Sequence, residues 1–215
     1  MSWSSGKDSA YALHIARADR RVDVRALLVT VNEAADRVAM HAVRRSLLEA
    51  QAERLRLPLH VVDIPSPCPN EVYEARMADA VTAARDAQVE RMVFGDLFLE
   101  DVRAYRERNL ADTGISPVFP LFGRQTDLLA REMIGSGVRA VLTCIDPRVL
   151  PAEFVGRSFD EQLLAELPEG VDPCGERGEF HTFVWDAPGF SSPVPIAVGE
   201  VVERDGFVFC DVGLW

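Results

Sequence analysis

From residue 24 to residue 122 the chain alternates apolar, β-branched runs with stretches of helical periodicity, and that alternation leaves few folds open. Val24 to Val31 (VRALLVTV), Leu59 to Ile64 (LHVVDI), Met92 to Phe94 and Pro117 to Phe122 (PVFPLF) read as buried parallel strands. Between them, Val43, Leu47, Leu48, Ala52 and Leu55 fall on one helix face, and Tyr73, Met77, Ala80, Val81 and Ala84 on another. Leu99 to Leu110 makes a charged helix. A very short apolar start (Met1, Trp3) supplies a first strand, and the helix after it carries Ala12, Ile15 and Ala16 on one side. The pattern predicts an α/β fold with a doubly wound parallel five-stranded sheet. Right-handed crossovers then place a ligand at the carboxyl edge of the strands.

Beyond residue 122 the order loosens. A helix (Asp127 to Ile134), a strand (Arg139 to Ile145), a short helix around Phe159 to Leu167 and a Gly/Pro-rich segment follow. Two C-terminal strands turn at Asp205-Gly206, a strong hairpin signal. The reading divides the chain into residues 1–122, a nucleotide-binding domain, and 123–215, a smaller α+β domain. At 215 residues there is enough chain for a substantial core.

Between the first strand and the first helix lies Ser4-Ser5-Gly6-Lys7-Asp8-Ser9. Small residues let backbone N–H groups converge on an anion, and the helix start adds its partial positive charge. Lys7 adds a full one, and it is the only lysine among 23 Lys and Arg residues. Where a plain charge suffices this chain uses arginine, so the surviving lysine marks a place where a wide guanidinium does not fit. The loop is not a Walker A motif, because no glycine stands five positions before Gly6.

A net charge of −11 argues against a nucleic-acid grip, which needs clustered Lys and Arg. No apolar run approaches the ~20 residues of a membrane span, and no basic-then-apolar leader opens the chain. Cys68, Cys144, Cys174 and Cys210 are scattered without C-x-x-C spacing, as expected of thiols in a reducing cytoplasm rather than of a zinc site.

Three further stretches carry candidate chemistry. Gly95-Asp96 ends the fourth strand at the ligand edge, where a carboxylate can hold Mg²⁺ on phosphates or simply make a turn. Asp172-Pro173-Cys174-Gly175-Glu176-Arg177-Gly178-Glu179-Phe180-His181 is a loop with two glutamates, suited to metal, ammonia or general-base work, or to a solvated turn. Cys174 lacks an assigned base and is a poor candidate nucleophile. Met40-His41 opens the second helix, where His41 contacts adenine or phosphate, or is a plain helix residue.

The motifs fall in one order: the Ser4–Ser9 loop, Val38 to His41, Gly95-Asp96 with Glu100-Asp101-Val102-Arg103, Gly114-Ile115 with Phe119-Pro120-Leu121-Phe122, Val155-Gly156-Arg157, and Asp172 to Val184. In this order they resemble the bacterial-type branch of the diphthine–ammonia ligase family, within the N-type ATP pyrophosphatases (the PP-loop, adenine nucleotide alpha hydrolase-like group). Ser5 stands where that loop commonly has glycine, and Arg177 where glycine or asparagine is usual. The resemblance implies ATP-dependent adenylation of a carboxylate, pyrophosphate release, and displacement of AMP by ammonia. By position it assigns the pyrophosphate to Ser4, Ser5, Gly6, Lys7, Asp8 and Ser9, and the nucleotide cleft to Gly95 and Asp96 with His41. It turns Glu176, Gly178, Glu179 and His181, with Arg103, toward acceptor or ammonia, and gives Mg²⁺ to Asp8 and Asp96. Lys7, Asp8, Glu176 and Glu179 are then the catalytic set. The acceptor is a carboxylate on a protein (elongation factor 2-like) or on a small molecule, and a homodimer is one assembly open to the chain. Lys7→Arg is expected to stop turnover and leave the fold intact.

Two other classes compete. A sulfur-transferring or lysidine-type tRNA-modifying enzyme uses the same loop but brings paired cysteines or a basic face, and this chain has neither. A non-catalytic nucleotide-binding module requires neither the loop lysine nor the two-glutamate loop.

Overall fold

The structure, a computed structural model, describes residues 1–34, 36–38 and 43–215. In chain order it runs α1 (Lys7–Ala18), β1 (Leu27–Asn32), α2 (Arg45–Leu55), β2 (Leu59–Ile64), α3 (Asn70–Asp86), β3 (Arg91–Val93), α4 (Glu100–Leu110) and β4 (Ser116–Val118). Then follow α5 (Thr126–Ser136), β5 (Arg139–Ile145), a single 3₁₀ turn (Ala152–Phe154), α6 (Glu161–Glu166), β6 (Phe180–Asp186), β7 (Ile196–Arg204) and β8 (Phe207–Leu214).

The first half is α/β with parallel strands, β1 beside β2 and β3 beside β4. Residues 1–3 lie between the pairs. Ser2 N donates to Val93 O at 2.9 Å, Trp3 N to Leu28 O at 2.7 Å, and Leu28 N to Met1 O at 2.8 Å. The second half holds a separate antiparallel sheet in the order β6-β5-β8-β7. Its β7–β8 turn is Asp205-Gly206, with φ of 53° and 81°, the paired positive values that a two-residue hairpin turn requires.

Several elements differ from the sequence-based expectation. The strand expected at Pro117 to Phe122 is only Ser116–Val118, and Phe119 to Phe122 form a turn around Pro120, which has no N–H to continue a ladder. The strand expected from Val24 begins at Leu27. Strand β6 lies in the stretch expected to be Gly/Pro-rich loop, and it proves central to the site.

One hydrophobic cluster runs through both halves, from Leu27, Val29, Leu47 and Leu48 to Leu129, Met133, Leu142 and Phe183. Inside it, Gln51 of α2 is a satisfied polar tie. Its Nε2 donates to Ser5 O (3.1 Å) and Val184 O (2.6 Å), and its Oε1 accepts from Trp3 Nε1 (2.9 Å). Most buried polar groups are bonded in this way. Trp3 is thus a core residue, whereas Trp215 is 93% exposed. A smaller cluster of Val81, Met92, Phe94, Leu110 and Ile115 lies under α3 and α4. A cavity of about 410 Å³ between those helices is lined by Met77, Val81, Phe94, Arg106 and Asn109, among others. It leaves Val81 as the one buried residue of α3, so Tyr73, Met77, Ala80 and Ala84 are less covered than their spacing predicts.

Candidate active site

Residues 1–3 end in a turn at Ser4–Gly6 that enters α1 directly. Gly6 is the N-cap in extended conformation, without a side-chain cap, so the first-turn amides depend on groups from outside the helix. Lys7 N donates to Thr182 Oγ1 of β6 at 3.1 Å. Ser5 has φ 69°, the left-handed region in which glycine has no Cβ penalty, and this accounts for the usual glycine there. Its carbonyl is held by Val184 N (2.9 Å) and Gln51, while its Oγ is buried without a hydrogen-bond partner. The other serines brace the turn: Ser4 Oγ lies 3.1 Å from Ser9 Oγ, which donates to Gly6 O at 2.9 Å.

Lys7 is 2% exposed. Its ammonium meets both Asp8 carboxylate oxygens at 2.9 Å and the Cys174 carbonyl at 2.5 Å. Burial is the largest influence and works against its charge, but Asp8 together with Cys174 and Glu176 more than offsets it, so the ammonium stays protonated above the ordinary lysine range.

Gly95 fits because it has no side chain. A Cβ there would stand 3.0 Å from both Asp8 C and Ser9 N, so this glycine lets the loop after β3 close on the start of α1. Asp96 is thereby brought to the loop. Its Oδ2 is buried without a hydrogen-bond partner, 3.6 Å from Arg106 Nε of α4. Burial pushes its carboxyl up, against the pull of Arg106.

The 172–179 loop completes the arrangement. Leu97 N donates to Glu176 Oε1 at 2.8 Å, which ties this loop to the one after β3. Burial, with the Asp8 and Asp96 charges added, raises the Glu176 carboxyl to about 7, and the Leu97 N–H and Lys7 pull the other way. Among the described residues, no group of three or more His, Cys, Asp and Glu side chains is placed to hold a metal ion. Asp172, outside the expected set, accepts from Cys174 N (3.3 Å) and Glu176 N (3.0 Å) and shapes the loop. Burial pushes the Cys174 thiol far up, which makes it an inert nucleophile.

The structure brings Lys7, Asp8, Asp96 and Glu176 together and gives other expected residues different work. Glu179 is buried, with Oε1 accepting from Asp172 N (3.0 Å) and Oε2 from Arg177 N (2.9 Å). Both oxygens thereby hold the 172–179 loop. Phe180 and Thr182 both reach Lys7, so strand alternation puts His181 between them on the opposite face, paired in register with Cys144. Gly178 sits in the turn at φ 88°. Arg103 stacks over Phe119 and Phe122, at 5.2 and 4.6 Å from their centroids, and pairs with Glu107 at 2.8 Å. It is Arg106, one helical turn on, that faces Asp96. Arg177 lays its guanidinium over Phe98 at 5.6 Å. His41 lies outside the described residues. Sequence reasoning passed over Arg106 and Thr182, although each had a signal: helical spacing from Arg103, and the period-two run Phe180, Thr182, Val184.

A parallel strand segment turning through small residues into a helix, under a carboxylate-bearing loop, defines an α/β protein with a tight strand-to-helix turn. Comparison with known proteins narrows the class. The chain matches the family model of the diphthamide synthase N-terminal domain over residues 1–117 and that of the diphthamide synthase C-terminal domain over residues 125–212. It is 29% identical over 231 residues to the diphthine–ammonia ligase of Homo sapiens, covering 97% of this chain and 86% of that protein. With the diphthine–ammonia ligase of Danio rerio it shares 28% identity over 230 residues, 98% of this chain and 90% of the relative. The chain belongs to the diphthamide synthase family.

Proposed function

We propose that the chain is an ATP-dependent ligase that forms an amide from a carboxylate and ammonia, as its diphthine–ammonia ligase relatives are named for doing. An acceptor carboxylate oxygen attacks the α-phosphorus of ATP and pyrophosphate leaves. Ammonia then attacks the acyl carbon, loses a proton, and AMP leaves. The observation that best supports this reading is the meeting of three segments, Ser4–Ser9, Gly95–Leu97 and the 172–179 loop, tied by the Leu97–Glu176 hydrogen bond. In this reading Ser4, Ser5, Gly6, Ser9 and the α1 amides take the pyrophosphate, and Lys7 with Asp8 sets the charge beneath it. Glu176, titrating near neutrality, takes the proton that ammonia loses. Glu179 acts by positioning. Arg103, Gly178 and His181 border the acceptor side, and His41 is assigned to the nucleotide from the sequence alone.

Mg²⁺ fits as a companion of ATP. The ion takes few protein oxygens, and Asp96 Oδ2 is an oxygen without a hydrogen-bond partner, whereas both Asp8 oxygens already face Lys7. Bound there, the ion would neutralise phosphate charge. The reading also takes the two parallel pairs, joined through residues 1–3, as one doubly wound five-stranded sheet, with residues 1–122 as the ATP-binding domain and 123–215 as the acceptor domain. The acceptor is a carboxylate on a protein of the elongation factor 2 kind or on a small molecule. A homodimer would pair the β7 edges of two copies, where Val198, Val201 and Val202 are about half exposed. Antiparallel pairing about Val202 sets Glu200 against Arg204 twice, a complementary arrangement.

The test is a screen of candidate carboxylates with ATP, Mg²⁺ and ammonium, scored for AMP, pyrophosphate and amide. Acceptor-dependent AMP is expected. Formation of ADP, or no turnover with any protein or small carboxylate, would remove the assignment.

A further inference from the structure

The ammonium of the chain's one lysine lies over two adjacent phenylalanine rings, at the apex of a triangle with their centroids. Phe159, in the segment that hydrogen-bonds along β5 through Phe159 N and Ala140 O (2.9 Å), has its centroid 5.5 Å from Lys7 Nζ. Phe180, the first residue of β6, has its centroid 5.4 Å away. Both rings are 2% exposed, and their centroids stand 6.4 Å apart.

We propose that Phe159 and Phe180 are positioning residues that hold the Lys7 ammonium at the turn through their ring faces. This rests on the amide-ligase reading for its kinetic consequence. A ring face attracts a cation without supplying a hydrogen-bond acceptor, so it fixes the charge without spending a donor. The donors go to Asp8 and the Cys174 carbonyl. Of the partners, Asp8 is the accessible one, with its side chain 26% exposed. An incoming phosphate therefore approaches past Asp8, while the rings and the carbonyl keep the ammonium in place. The same arrangement explains the lone lysine. A compact ammonium rests over both tilted rings at once, whereas a planar guanidinium with its fork of five donors brings more N–H groups than Asp8 and Cys174 can satisfy there.

The experiment uses the full chain with mono-, di- or trifluorophenylalanine placed at position 180, and separately at 159. Fluorine drains the ring face of negative charge with little change of shape. Because Lys7 is the only lysine, lysine labelled with ¹⁵N at Nζ gives one side-chain resonance. We expect that resonance to move stepwise with fluorine count and its titration midpoint to fall. AMP formation should drop about three- to tenfold in kcat across the series, KM for ATP should change less than about twofold, and Tm should hold. Phe180→Leu, which also removes volume, should lower both kcat and Tm. A resonance and titration that ignore fluorination would overturn the proposal, leaving the rings as packing alone. A responsive resonance in a protein that makes no AMP with any acceptor would instead remove the amide-ligase reading and keep the cage.

Discussion

Glu176→Gln probes the site through stability rather than turnover. The folded chain keeps the Glu176 proton up to about 7, while the ordinary value that governs the unfolded chain is 4.5. Between those limits the folded state binds the proton and the unfolded state has released it, so stability falls as pH rises from 4.5 to about 7. A gap of that size corresponds to ~3 kcal/mol for a fully sequestered group. Glu176 is half-buried, and solvent screening brings the expected loss to about 1–2 kcal/mol. Glutamine keeps the oxygen that accepts from Leu97 N and carries no charge to lose. In urea unfolding at pH 5 and pH 8, Glu176→Gln should therefore gain on the parent by about 1–2 kcal/mol at the higher pH, or roughly 0.5–1 M in midpoint. Asp8 and Asp96 titrate in both proteins, and because they repel the Glu176 carboxylate, the difference reports that shared repulsion together with the burial of Glu176 itself. Parallel pH profiles would show that Glu176 is not crowded by Asp8 and Asp96, and the convergence of the three segments would lose its energetic support.

Other substitutions test separate contacts. Gly95→Ala drives a methyl against the Asp8–Ser9 backbone and should cost about 1–3 kcal/mol by chemical denaturation, with ATP affinity falling alongside; full affinity would mean that the close approach does not shape the site. Ser5→Gly relieves a left-handed residue and an unpartnered buried hydroxyl, so Tm should rise, with a gain of about 1 kcal/mol. Lys7→Arg should stop turnover and, contrary to the expectation from sequence, also cost about 1–3 kcal/mol, because a larger planar guanidinium is forced into a fully buried position beside Phe159, Phe180 and the Cys174 carbonyl; a parent-like Tm would refute that. Glu179→Gln sets an amide NH₂ against Asp172 N or Arg177 N, so amide hydrogen exchange should quicken throughout residues 172–179.

The parts of this protein legible in its sequence are those decided by near neighbours. Asp205-Gly206 turns because those two residues tolerate positive φ, α2 buries Leu47, Leu48, Ala52 and Leu55 because they recur at helical spacing, and the Ser4–Ser9 loop is local chemistry. The motif order carried the family; it put Lys7, Asp8, Glu176 and Glu179 in one set and Asp96 in the nucleotide cleft, without saying that Lys7, Asp8, Asp96 and Glu176 meet. What depends on distant pairing was not legible. That Lys7 rests on Thr182, Cys174 and two rings is set by β6 docking against the start of α1, 175 residues away along the chain for Thr182. The same docking turns His181 to the other face and closes Glu179 into its own loop, while α4 brings Arg106 to Asp96 and lays Arg103 over Phe119 and Phe122. A side chain's residue type states what it can do. Its burial, its partners and hence its proton affinity exist only once the two halves pack, because desolvation belongs to the assembled core and to no stretch of sequence.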